Sequence, residues 1–218
     1  MRYYTYISDA KVDVLLPQVP GALQQKVASK LGFDIKLLSG SISTERSTLD
    51  SRVARLQAVE AYLLEHETIG RPGDDAAWVG GYSDAKTVDL GGGGILFVAE
   101  GPSWVLGIGG SATHLTAAAG TRAEYVQLPF SFLPYLVERL TFLTEKRAEA
   151  LVKLPEGTVS VSHKAQGFDT WADVIRFASR LAKGPSQRME FLAKRLAHKV
   201  YNDLAVTLAT PLYVALAE

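Results

Sequence analysis

Residues 95–119 read ILFVAEGPSWVLGIGGSATHLTAAA, and the fold is decided there. Ile95–Ala99 and Trp104–Ile108 are continuous apolar runs, split by Glu100-Gly101-Pro102-Ser103. Short runs rich in Ile, Val, Phe and Trp, separated by a Gly-Pro turn, predict a buried β-hairpin. The second run passes into Gly109-Gly110-Ser111 and small residues carrying His114. Just upstream, Trp78–Leu90 reads as an extended segment that pairs with the hairpin, and Gly91–Gly94 as a flexible turn between them.

Further toward the N-terminus, Tyr3–Ile7 alternates as a strand and runs into a polar turn, Ser8 to Asp13, then Val14-Leu15-Leu16. Pro20-Gly21 opens a helix to about Lys30, and Ile35–Ile42 alternates as a second strand. Ser47–His66 is a helix, with Ser47 as its N-cap, Asp50 in its first turn, and Leu49, Val53, Leu56, Val59 and Leu63 on one stripe. On the C-terminal side, Arg122–Leu128 reads as a strand, Ser131–Leu151 as a helix and Thr158–His163 as a strand. Asp169–Lys183 follows as a helix buried through Trp171, Val174, Ile175, Ala178 and Leu181, with Thr170 as its cap. Gly184-Pro185 breaks it; Ser186 then caps a last helix to about Asn202, and Val206–Leu216 is an apolar β-type stretch interrupted by Thr210-Pro211. Together these elements predict one α+β domain over residues 1–218: a mainly antiparallel mixed sheet with a central hairpin, covered by four to five helices.

The bulk composition narrows the function classes. Twenty-three basic residues balance 23 acidic ones, so the chain offers no global reason to bind nucleic acid or an anionic membrane. The absence of cysteine removes disulfides, thiol nucleophiles and thiolate metal sites, and fits a cytoplasmic protein. The first ten residues, MRYYTYISDA, lack a signal-peptide apolar core, and no window is apolar enough for a membrane span. His66, His114, His163 and His198 lie far apart without metal-ligand spacing, so no metal site is expected.

Three motifs occur in order: Tyr4-x-Tyr6-Ile7-Ser8-Asp9-x-Lys11-Val12-Asp13, then Leu106-Gly107-x-Gly109-Gly110-Ser111-x-x-His114, then Thr210-Pro211-Leu212-Tyr213-Val214-Ala215-Leu216. In this combination the chain resembles a bacterial domain-of-unknown-function family frequent in actinomycetes. The likeness spans nearly the whole chain. It implies boundaries and candidate positions, but no reaction and no cofactor.

Chemistry has two candidate places. The first is Ser8, Asp9, Lys11 and Asp13, at the end of the first strand, where loops project polar groups from a rigid support. There Ser8 and Lys11 can act as nucleophile and base, or Lys11 can hold an anion. The plainer alternative is a capped turn in which Lys11 pairs with Asp9 or Asp13. The second place is Gly109, Gly110, Ser111 and His114. A helix starting near Ala112 would turn the glycine amides into an anion-binding nest, with His114 as a base for Ser111. The plainer alternative is a bend carrying a structural histidine. A third feature is the basic stretch Lys164–Lys199, in which Arg188, Arg195 and Lys199 share one helix face. Such a face can contact an anionic partner or nucleic acid; the plainer alternative is a solvated face, because nothing aromatic interleaves the charges and the whole chain is neutral.

These observations favour a binding or sensing module for a small anionic ligand such as a nucleotide or phosphate compound, or for a protein partner, as in bacterial signalling or defence. One alternative is a hydrolase or phosphodiester-cleaving enzyme in which Ser8, Lys11, Asp13, Ser111 and His114 converge. The other is a structural subunit of a homo-oligomer, which near-zero net charge does not oppose.

Overall fold

The computed structural model describes residues 2–30, 45–91, 93–116, 171–182 and 184–217. The strands expected at Ile35–Ile42, Arg122–Leu128 and Thr158–His163, and the helix expected at Ser131–Leu151, lie outside the described residues. The chain is a mixed α and β protein that divides into two compact units, one of residues 1–6 and 70–218, the other of residues 7–69.

In the larger unit, β3 (Trp78–Gly91), β4 (Gly94–Glu100) and β5 (Trp104–Ser111) follow one another as antiparallel neighbours. Gly91 pairs with Gly94 where β3 gives way to β4, and Gly93 has φ 81°, where a glycine carries no Cβ penalty. The chain returns as β6 (Gln187–Tyr201), which pairs with β3, and β7 (Leu204–Leu216), which pairs with β6 and, in parallel, with β5. The ring β3-β4-β5-β7-β6 is therefore closed, with the Greek-key order of a five-stranded barrel. β1 (Tyr3–Ile7) adds to β7, and β2 (Ile69–Gly70) adds to β3. The expected central hairpin gives way to this ring: β4 and β5 are two of five strands, and no strand is its centre.

Both faces of β4 and β5 are buried, which is why their sequences run apolar without alternation. Ile95, Phe97 and Ala99 join Leu106, Ile108, Phe191 and Val214 in one cluster. Leu96 and Val98 face the other way, with Val105, Val206 and Leu208, and meet Ala172, Ile175 and Ala178 of the helix α4 (Trp171–Leu181). The expected buried face of this helix holds for Ile175 and Ala178, while Trp171 and Val174 are half-buried and Thr170 lies outside the described residues.

One expected helix is a strand. Residues 187–201 (QRMEFLAKRLAHKVY) are rich in helix formers and place Met189, Leu192 and Leu196 at near-helical spacing. They form β6 because β3 and β7 pair with it along both edges. Met189, Phe191 and Ala193 then enter the first cluster at period two. Pro211 sits within β7 rather than ending it. Tyr213 pairs with Leu192 and Pro211 with Ala193, so a bulge at Leu212 absorbs the proline. Asn202 and Asp203, at φ 47° and 66°, make the two-residue turn from β6 to β7.

In the smaller unit, α1 (Asp9–Leu15) and α2 (Gly21–Lys30) pack on α3 (Glu45–His66). Leu56, Val59 and Leu63 of the expected α3 stripe are buried. Ser47 lies inside α3 rather than capping it, because the helix begins two residues earlier, at Glu45. The polar turn expected at Ser8–Asp13 is the first half of α1, with Ser8 as its N-cap residue.

Candidate functional site

Ser8 ends β1 and starts α1, its carbonyl accepting the first helical bond from the Val12 amide at 3.0 Å. Its side chain does not cap the helix. Instead the Ser8 hydroxyl accepts a hydrogen bond from the Lys11 ammonium, Nζ to Oγ at 3.2 Å. Helical geometry brings residues three apart onto one face, so the contact follows from the local fold. Ser8 is 1% exposed and Lys11 is half-buried.

The carboxylates on either side of Lys11 are taken by arginines. Arg52 of α3 donates from Nε to Asp9 at 2.6 Å, and from its terminal nitrogen to the Ile7 carbonyl at 2.8 Å. Arg55 of α3 pairs with Asp13. Asp9 and Asp13 are four apart on α1, Arg52 and Arg55 three apart on α3, so the two helices face each other through a short ladder of charge-assisted bonds. The expected Lys11–Asp pair is therefore replaced: among the described residues, no carboxylate lies within ion-pair distance of Lys11. Burial pushes the Lys11 ammonium down from 10.5 to about 8. The two arginines were not singled out from sequence. On the helix Arg52 falls among the stripe residues Leu56, Val59 and Leu63 and Arg55 at its edge, a placement visible in the sequence, but their partners belong to another helix.

The second candidate takes a different form from the expected nest. Gly109 and Gly110 are ladder residues of β5, opposite Leu96 and Ile95. The helix expected at Ala112 is a three-residue 3-10 turn, Ala112–His114. Ser111 caps that turn: its hydroxyl receives the Thr113 amide at 3.3 Å and lies 2.8 Å from the Thr113 hydroxyl. The His114 ring stands edge-on to Tyr6 at 5.7 Å. Gly110 is where a side chain would overlap the buried Tyr6 hydroxyl, so close packing accounts for that glycine.

The basic stretch is likewise rearranged. Arg188, Arg195 and Lys199 lie on a strand, not on one helix face. Arg188 approaches Asp84 at 4.0 Å and Arg195 pairs with Asp75. Aromatic rings do accompany the lysines: Lys199 lies over Trp171 and Tyr201, and Lys194 over Trp78. Lys164 and Lys183 are outside the described residues. Among the described residues no three His, Asp or Glu side chains gather as metal ligands, and no helix is long and apolar enough to cross a membrane.

No curated protein and no solved structure matches the chain. A family model does: residues 2–218 match the family of unknown function DUF7019, and the chain belongs to that family. The match runs across both compact units and includes Ser8, Lys11, Arg52 and Arg55.

Proposed function

We propose that this member of the DUF7019 family is a binding module, and that a small anionic ligand, of the nucleotide or phosphate class, seats at Lys11. One observation carries the reading: a half-buried ammonium that touches the buried Ser8 hydroxyl and, among the described residues, has no carboxylate within ion-pair distance. Burying a cation without a counter-charge costs free energy, and an anion that binds there recovers it. Perturbed groups of this kind concentrate at functional sites. Ser8 holds the ammonium from the buried side, its hydroxyl accepting from Nζ.

The hydrolase reading draws on the same 3.2 Å contact, since a lysine near pKa 8 is a competent base for a serine. It is second because Ser8 is 1% exposed, which keeps its oxygen from a substrate carbonyl. Native mass spectrometry of the purified protein, before and after denaturation, tests the binding reading. The wild-type chain should release a small anion, and folded Lys11→Ala should carry none. Supplied at about a hundred times its Kd, that anion should stabilise the wild-type chain by about 2.7 kcal/mol. Equal retention by Lys11→Ala would contradict the assignment.

A further inference from the structure

We infer that one face of β6 binds single-stranded nucleic acid, with the rings of Trp171 and Tyr201 stacking on bases and Lys194 and Lys199 holding phosphates. The site lies in the larger unit and is independent of Lys11. A β-bulge builds it. Lys194 and Lys199 are five residues apart, and on a regular strand they would point to opposite sides. The register shift between Arg195 and Ala197 brings them to one side: they lie opposite Thr210 and Val206 of β7, which are four apart. Tyr201, opposite Leu204, and Trp78, opposite Lys194, share that side. Ile175 and Ala178 of α4 pack with Val206 and Leu208 of the same face, and the start of α4 thereby sets Trp171 beside Lys199.

Both lysines are exposed, and their ammonium groups lie over rings rather than against carboxylates. Lys194 Nζ is 5.8 Å from the centre of the Trp78 ring; Lys199 Nζ is 5.2 Å from that of Trp171 and 5.8 Å from that of Tyr201. The carboxylates paired beside this strand are taken by arginines: Asp75 by Arg195, Asp84 by Arg188 and Glu190 by Arg2. Among the described residues, no carboxylate lies within ion-pair distance of Lys194 or Lys199. Two surplus cations about 15 Å apart along the strand, with rings between and beside them, suit a flexible chain that carries both negative charge and flat bases. A small anion meets only one of the lysines. An acidic peptide or a duplex meets the charges but brings no free base to the rings. When a base stacks on Trp171 or Tyr201, Lys199 passes from the ring to the adjoining phosphate. The neutral chain supplies little long-range attraction, so the contact depends on the rings as well as the charges.

The test titrates the full chain with a fluorescein-labelled oligodeoxythymidylate, following the anisotropy of the label and the tryptophan emission of the protein. Binding should quench the tryptophan emission and weaken as salt is raised. Lys194→Gln and Lys199→Gln should each lower the slope of log affinity against log salt by about 0.7, the share of one phosphate contact on a single strand. Trp171→Leu should weaken binding about tenfold or more and leave that slope unchanged. Tyr201→Leu should do the same, and it reads the ring contribution if the Trp171 variant does not fold. The two lysine variants change exposed side chains and keep the test open in either case. A duplex of the same length should bind more weakly, and polyglutamate should not displace the oligonucleotide. Absence of binding at low salt would overturn the proposal. So would a duplex or polyglutamate binding as tightly as the single strand, which would assign the face to charge alone or to an acidic protein partner.

Discussion

Lys11 is held by the fold in a state that its own charge disfavours. Its folded pKa, about 8, lies below the ordinary 10.5, which fixes the sign of its effect on stability. Below pH 8 the folded and unfolded chains both carry the proton, and the desolvation cost is present in full. Between 8 and 10.5 the folded chain releases the proton while the unfolded chain keeps it, so the wild-type protein gains stability as pH rises. Lys11→Met removes the charge and keeps the stem. It should raise stability at pH 7 by at most about 3 kcal/mol, and this advantage should shrink by pH 10. Urea denaturation of both proteins at the two pH values measures the difference, and a pH-independent gap would point to packing instead. Arg52→Met should cost about 1–3 kcal/mol, because Asp9 and the Ile7 carbonyl both lose a donor. The spacing that joins Ser8 to Lys11 was legible in the sequence. The pairing of Asp9 and Asp13 with Arg52 and Arg55 was not, because it depends on a helix some forty residues away, which no local pattern encodes.

Among the elements, β6 shows most clearly where local reading stops. Its residues favour a helix, and its strand form comes only from pairing with β3 and β7. By contrast β4 and β5 were readable, because runs of Ile, Val, Phe and Trp bounded by Gly and Pro have few other uses. From sequence the Gly109-Gly110 pair admits a ligand cradle or a plain bend; Gly110 answers to packing, and the Tyr6 ring that it meets is about a hundred residues away in sequence. Gly110→Ala should therefore destabilise by about 1–3 kcal/mol through overpacking. Combined with Tyr6→Phe, which removes the obstructing hydroxyl, it should cost less than the sum of the single changes. Thermal unfolding of the three variants measures the coupling. At the β6–β7 turn, Asp203 has φ 66°, so Asp203→Gly should leave the fold intact and add up to about 1 kcal/mol of stability. A loss of stability there would show that the aspartate side chain has a role the turn geometry does not require.

At the scale of the whole molecule, β7 closes the ring through β5 and β6 and also carries β1. The last strand in the sequence is thus a partner of the first. The fold class was legible because long apolar and amphipathic stretches declare strands and helices. Closure was not, since it depends on a parallel β5–β7 pairing that joins strands separated by about ninety residues. A chain ending at Tyr201 should fail to give cooperative unfolding, as β5 and β6 would each lose a neighbour. The functional account narrows to one charge, and it is tested most directly by following the Lys11 side-chain nitrogen by NMR across a pH titration, assigned through Lys11→Arg. The account predicts a midpoint near 8 in the ligand-free protein, rising toward the ordinary value when an anion is bound. A midpoint of 10.5 without ligand would mean that Lys11 is solvated or already paired, and would contradict the site.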